Sequence, residues 1–239
     1  MWLAFDTSGD HASVALGWPG RVLAEESIAG RRRQAGGLLP AIDRILRGVE
    51  GGLESVEGVL VTDGPGSFTG LRIGAATAKA LVLARHLELW TAPSLLVQGA
   101  AALEERSGRV LAIADALRGE IYAAEYLIEP GGISTILEPG VFTAGALAGR
   151  DPPDLIAGRP RGELASVLAA RQGSGIVPVV EAQPAASTLL ALMGRSGGLR
   201  RIPANAVARW EPYYGRPAAA QAEWERTHGR TLGDPARPA

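Results

Sequence analysis

Leu38, Leu39, Ile42, Ile45, Leu46 and Val49 recur with the three-to-four-residue spacing of an apolar helical stripe, and Gly51-Gly52 ends it. Ahead of this helix the apolar runs are short and bounded by turn residues. Leu3 to Asp10 reads as a strand closing in a polar turn, Ser13 to Trp18 as a second strand, and Arg21 to Glu25 as a third after the Pro19-Gly20 turn. Arg31, Arg32 and Arg33 then form a charged loop. Gly58 to Thr62 is apolar without alternation, the pattern of a strand buried on both faces of a partly parallel sheet. A glycine-rich turn and a long helix, about Thr69 to Arg85, follow. Leu87 to Thr91 is then a strand and Ser94 to about Arg106 a helix.

The same pattern starts again at Val110. Asp6-Thr7-Ser8-Gly9-Asp10 and Asp115-Ala116-Leu117-Arg118-Gly119-Glu120 match with one inserted residue, and an outgoing strand follows each, Ile121 to Ile128 in the second copy. This is a weak internal repeat offset by roughly a hundred residues. It predicts two similar subdomains facing each other; chance recurrence of strand, Asp and turn is the alternative. Further strands are expected near Asp154 to Ala157 and at Ile176 to Val180. Helices are expected near Gly162 to Arg171, Ser187 to Met193 and Ala218 to Arg226. The expected division is an N-terminal lobe at 1–105, a smaller lobe at 106–200 and a partly docked tail at 201–239. In the tail, Trp210, Tyr213 and Tyr214 are aromatic anchors, docked on the chain itself or in a partner groove.

Composition narrows the chemistry. The chain has 239 residues, 46% of them apolar and 21% charged, with a net charge of −1. That balance lacks the basic stripe of a stand-alone nucleic-acid binder. Zero cysteine removes thiolate metal sites, cysteine nucleophiles and disulfides. The histidines are His11, His86 and His228, none at the spacing of a helical zinc pair, and each is expected on the surface. The apolar run from Ala75 to Ala84 is broken by Lys79 and is too short to span a bilayer. No membrane association and a cytoplasmic location are expected.

The strongest local signal is Gly64-Pro65-Gly66-Ser67-Phe68-Thr69-Gly70-Leu71-Arg72-Ile73-Gly74, set between a buried strand and a helix. Gly64, Gly66 and Ser67 would let the backbone approach an anion at the helix N-terminus. A tight turn without a ligand is the alternative, and neither the Walker nor the dinucleotide spacing is met. Asp6 and Asp115, with Thr7 and Ser8, are candidates for a two-lobed phosphotransfer site. The second copy lacks polar residues at Ala116 and Leu117, which argues for structural turns. Gly70, Gly74 and Ala78 form a nearly bare helical strip. It packs either on the first helix or, with that helix's stripe, on a partner subunit.

These residues resemble the TsaB (formerly YeaZ) family of the bacterial tRNA threonylcarbamoyladenosine machinery. The similarity lies in Leu3 to Ser8, Leu38-Leu39-Pro40, Gly64 to Gly74, Asp115 to Tyr122 and Pro212-Tyr213-Tyr214. It implies an α/β fold of the actin-like ATPase (ribonuclease H-like) type, duplicated into two lobes with the second reduced. It implies a non-catalytic subunit that binds and activates a TsaD-like threonylcarbamoyl transferase, joined by the ATPase TsaE, reaching tRNA only through the complex and forming a homodimer when alone. The implied partner face is Leu38, Leu39, Ile42, Ile45, Leu46, Gly70, Leu71, Gly74, Thr77 and Ala78. Asp6, Thr7, Ser8 and Asp115 become a vestigial nucleotide site, with no metal and no cofactor beyond weak ATP or ADP binding. The runner-up is an active ATP-dependent phosphotransferase of the same fold.

Overall fold

The computed structural model describes residues 1–30, 34–104, 106–116, 119–170, 177–215 and 227. Strands β1 (Trp2–Asp6), β2 (His11–Trp18) and β3 (Arg21–Ala29) form a meander. Helix α1 (Gln34–Arg47), β4 (Gly58–Thr62), α2 (Phe68–Arg85), β5 (Glu88–Ala92) and α3 (Ser94–Leu103) complete the first unit. The second contains β6 (Gly108–Asp115), β7 (Ile121–Glu129), β8 (Gly132–Phe142), α4 (Ala144–Ala148), β9 (Leu155–Ala157), α5 (Gly162–Ala170) and β10 (Val179–Val180). Helix α6 (Ala186–Leu192) and β11 (Arg200–Ile202) follow.

The two sheets repeat one wiring. In the first the order is β11-β5-β4-β1-β2-β3, in the second β10-β9-β6-β7-β8. In each, the first three strands pair antiparallel and the fourth and fifth join the first side in parallel. Strand β6 therefore stands where β1 stands, and Asp115 ends β6 as Asp6 ends β1. The repeat legible in the sequence is a duplication of the fold, of the actin-like α/β type.

Side-chain alternation stacks the layers. Leu3, Phe5, Val14, Val59 and Val61 point to one face of the first sheet, where α1 and α2 cover them. Ala4, Ala15 and Leu60 point to the other. There, α3 and α6 fill the space to the second sheet, whose Val110, Ala112, Ala124 and Tyr126 face back. Leu111, Ile113 and Ala123 face outward beneath α4 and α5. Glu125, 1% exposed on this outer side, is held by Arg109 at 2.5 Å and Arg150 at 2.8 Å.

Several expectations change. Helix α1 begins at Gln34, four residues ahead of Leu38, where the apolar stripe starts. Strand β8 has no counterpart in the sequence reading, although it is 11 residues long. It is an edge strand carrying Pro139 and Gly140, so it lacks a two-faced apolar pattern. The lobe boundary at residue 200 also moves. Helix α6 already packs on β1–β4, where the Ser13 hydroxyl accepts the Ala186 N–H at 2.9 Å, and β11 pairs with β5. The chain has thus returned to the first lobe by Ala186. The Arg31–Arg33 loop, Leu117 and Arg118, Arg171 at the end of the expected Gly162–Arg171 helix, Ile176, the Ala218–Arg226 helix and His228 lie outside the described residues; of the expected Ile176–Val180 strand, Val179 and Val180 are the residues that pair.

Candidate functional site

Asp6 closes β1 where the meander turns, beside the carboxyl end of the parallel strand β4. It is completely buried. Its Oδ1 accepts the Thr62 hydroxyl at 2.5 Å, the Ser8 hydroxyl at 2.6 Å and the Ser8 N–H at 3.2 Å. Its Oδ2, equally buried, has no hydrogen-bond partner among the described residues. Burial pushes the Asp6 carboxyl from 3.8 up to about 6, against the opposing pull of these hydrogen bonds. The next hydroxyl, on Thr7, turns inward and donates to the Gly70 carbonyl at 2.7 Å.

The glycine-rich turn is laced to this one. The Ser67 N–H donates to the Ser8 carbonyl at 2.8 Å, while the Ser67 hydroxyl caps α2 by accepting the Gly70 N–H at 3.2 Å. Close approach explains two glycines. A Cβ at Gly66 would lie 2.4 Å from the Ser8 carbonyl oxygen. One at Gly64, whose φ is +101°, would lie 1.9 Å from that of Tyr213. Ser94, at the start of α3, donates its N–H to the Gly64 carbonyl and its hydroxyl to that of Pro65, at 2.8 and 2.6 Å. Sequence reasoning singled out neither Ser94 nor Thr62. Thr62 was legible only as the polar end of an apolar strand.

The structure therefore brings Asp6, Thr7, Ser8, Gly64, Gly66 and Ser67 into one cluster. Asp115 stands on the second sheet and is exposed, unlike Asp6. In this cluster the Ser8 and Thr62 hydroxyls donate to the Asp6 carboxylate, while the Thr7 hydroxyl and the Ser67 amide donate to the Gly70 and Ser8 carbonyls. Among the described residues no group of three or more His, Cys, Asp or Glu is placed to hold a metal ion. His11 and His86 are exposed, as expected.

The proposed partner residues need correction. Leu38, Ile42, Ile45 and Leu46 are between 1% and 8% exposed and pack into the first lobe's own core. Gly70, Leu71, Gly74 and Ala78 are buried as well. A Cβ at Gly74 would come 2.5 Å from the Thr7 hydroxyl and 3.6 Å from Val61, so the bare strip faces the chain's own sheet. The reason is geometric: a helix without bulky side chains can lie directly on a sheet as well as on another helix. Of the ten residues, Leu39 is exposed, at 59%, and Thr77 is half-buried. The outward face of α2 instead shows Arg72, Ala76, Ala80, Leu83 and Ala84, with Leu83 50% exposed. Trp210, by contrast, is self-docked in the first lobe's core at 7% exposure.

The family model for TsaD, tRNA N6-adenosine threonylcarbamoyltransferase, matches residues 28–163, more than half of the chain. The chain is also 36% identical over 132 residues to the Escherichia coli (strain K12) tRNA threonylcarbamoyladenosine biosynthesis protein TsaB, covering 55% of this chain and 57% of that one. The chain belongs to the TsaD family, on its TsaB (YeaZ) branch. The Bacillus subtilis (strain 168) TsaB is 30% identical over 135 residues, covering 56% and 58%. The matches span just over half the length of these curated relatives. Structural similarity runs further: YeaZ from Pseudomonas aeruginosa superimposes with a TM-score of 0.69 and 28% identity, covering 89% of this chain and 94% of that one. No helix among the described residues is long and apolar enough to cross a membrane.

Proposed function

We propose that this chain is a non-catalytic subunit that binds and activates a TsaD-like threonylcarbamoyl transferase, working with a TsaE-like ATPase to form N6-threonylcarbamoyladenosine in tRNA. The observation that carries this reading is the state of Asp6. In an active phosphotransferase of this fold the carboxylate would face metal or an attacking water. Here it is buried, and one of its oxygens is taken up by Ser8 and Thr62. The local fit to ATP or ADP is poor, because the Ser67 amide and both turn hydroxyls already have partners within the chain. The proposed setting is cytoplasmic, with tRNA reached only through the complex and a homodimer formed by the chain alone.

The proposed partner face is the outward side of α2, around Ala80 and Leu83, together with Leu39 of α1. Small and apolar side chains there allow close approach of another helix. Reconstitution with TsaD-like and TsaE-like subunits tests the function by scoring modified tRNA with and without this chain. Modification is expected to require it. Leu83→Arg should abolish co-elution with the TsaD-like subunit and leave the melting temperature of the free chain unchanged. Steady ATP hydrolysis or phosphoryl transfer by the chain alone would replace this reading with the phosphotransferase.

A further inference from the structure

After β11 the chain runs back across the first lobe as a strap, Trp210 to Gly215, and its contacts reach both lobes. On the first lobe, Trp210 is buried against the core beneath α2. Glu211 pairs with Lys79 of α2 at 2.7 Å, the two side chains being 46% and 19% exposed. The Tyr213 N–H donates to the Asp63 carbonyl at 2.6 Å. The Tyr214 ring lies 4.8 Å from that of Phe68, the first residue of α2, and its hydroxyl donates to Glu211 at 3.2 Å. On the second lobe the contact is Tyr122, at the start of β7 and paired with Ala114 beside Asp115. Its hydroxyl donates to the Tyr214 carbonyl at 3.4 Å. A Cβ at Gly215 would meet the Tyr122 ring at 2.4 Å and Pro65 at 2.9 Å.

We infer that Trp210–Gly215 is an interlobe clasp that holds the carboxyl ends of β4 and β6 at a fixed separation. Helices α3 and α6 join the lobes between the sheets, and the strap joins them at the strand ends where the two Asp turns lie. The clasp makes α2 and the second lobe parts of one rigid body, so a load on α2 is felt at Tyr122. This inference does not depend on the function proposed above.

The absence of native cysteine makes the test direct. Spin labels are placed through Ala84→Cys on α2 and Ser134→Cys on β8, both exposed positions, in the full chain. Their distance distribution is measured by pulsed electron resonance. It should be single and narrow in the parent. Gly215→Val, whose side chain cannot fit beside Tyr122 and Pro65, should broaden it or shift it outward. Glu211→Ala, an exposed change that leaves the packing of Tyr122 untouched, should do the same to a lesser degree. Exchange of the Ser94 amide should quicken about tenfold in both variants, as expected when a local closing contact is lost. A distribution in both variants as narrow and as centred as the parent's, with circular dichroism unchanged, would overturn the clasp.

Discussion

At the residue scale, Asp6 sets a pH dependence whose sign follows from its burial. Its carboxyl titrates near 3.8 when free and at about 6 in the fold. Between those values the folded chain keeps a proton that the unfolded chain has released. The penalty for burying the charge is therefore absent below 3.8, grows as pH rises and is complete above about 6. The size of this effect is about 3 kcal/mol at full expression. In Asp6→Asn the amide oxygen can still accept from Ser8 and Thr62, while the amide nitrogen takes the place of the unpartnered Oδ2. That nitrogen then lacks an acceptor, which returns part of the gain. The expected outcome is a variant about 1–2 kcal/mol more stable than the parent at pH 8 and without the parent's loss of stability between pH 4 and 7. Urea unfolding at pH 4.5 and pH 8 measures it. Equal pH dependence in both proteins would show that Asp6 is ionised at little cost.

At the element scale, α2 shows how far the sequence could be read. Its extent was legible to one residue, because Ser67 is a cap and Gly66 precedes it, and its small residues were visible as a strip. The direction of that strip was not. Gly70, Gly74 and Ala78 would suit a partner helix or a sheet equally, and only Thr7 and Val61 beneath Gly74 decide between them. The stripe of α1 had the same ambiguity: Leu38 and Ile42 serve the core, while Leu39, one position away, is exposed. The site residues were readable for a different reason. Asp6-Thr7-Ser8 and Gly64 to Ser67 are local turn chemistry, but their mutual lacing is a contact across more than fifty residues that no local pattern encodes. The inward direction of the strip makes a stability prediction. Gly74→Leu must displace Thr7 from its bond to Gly70, and should cost about 1–3 kcal/mol. Leu83→Arg on the opposite face should stay within about 0.5 kcal/mol. Thermal unfolding of both variants checks the pair; the reverse order would mean that the strip faces outward.

At the scale of the whole molecule, the duplication suggests two independent lobes, and the packing argues against that. One core spans both sheets: Ala4 and Leu60 of the first, Val110 and Tyr126 of the second, and α3 and α6 between them. Residues Leu189 and Leu190 of α6 are fully buried in it, although they come from the far end of the chain. The first sheet is itself incomplete without β11, and α2 is only partly covered without Val207 and Trp210. A fragment of residues 1–105, the lobe as the sequence divides it, would expose nearly all of α3, whose Leu95, Leu96 and Val97 are at most 2% exposed. Each such side chain left in water forgoes roughly 1.5–3 kcal/mol, which a chain of ordinary marginal stability cannot lose several times over. The full chain is therefore expected to unfold calorimetrically in one transition, with a calorimetric enthalpy equal to the van't Hoff value. The 1–105 fragment is expected to show no cooperative transition and to bind a hydrophobic dye. A sharp melting transition in that fragment would mean that the first lobe's own core suffices and that the shared layer is a docking contact between finished domains.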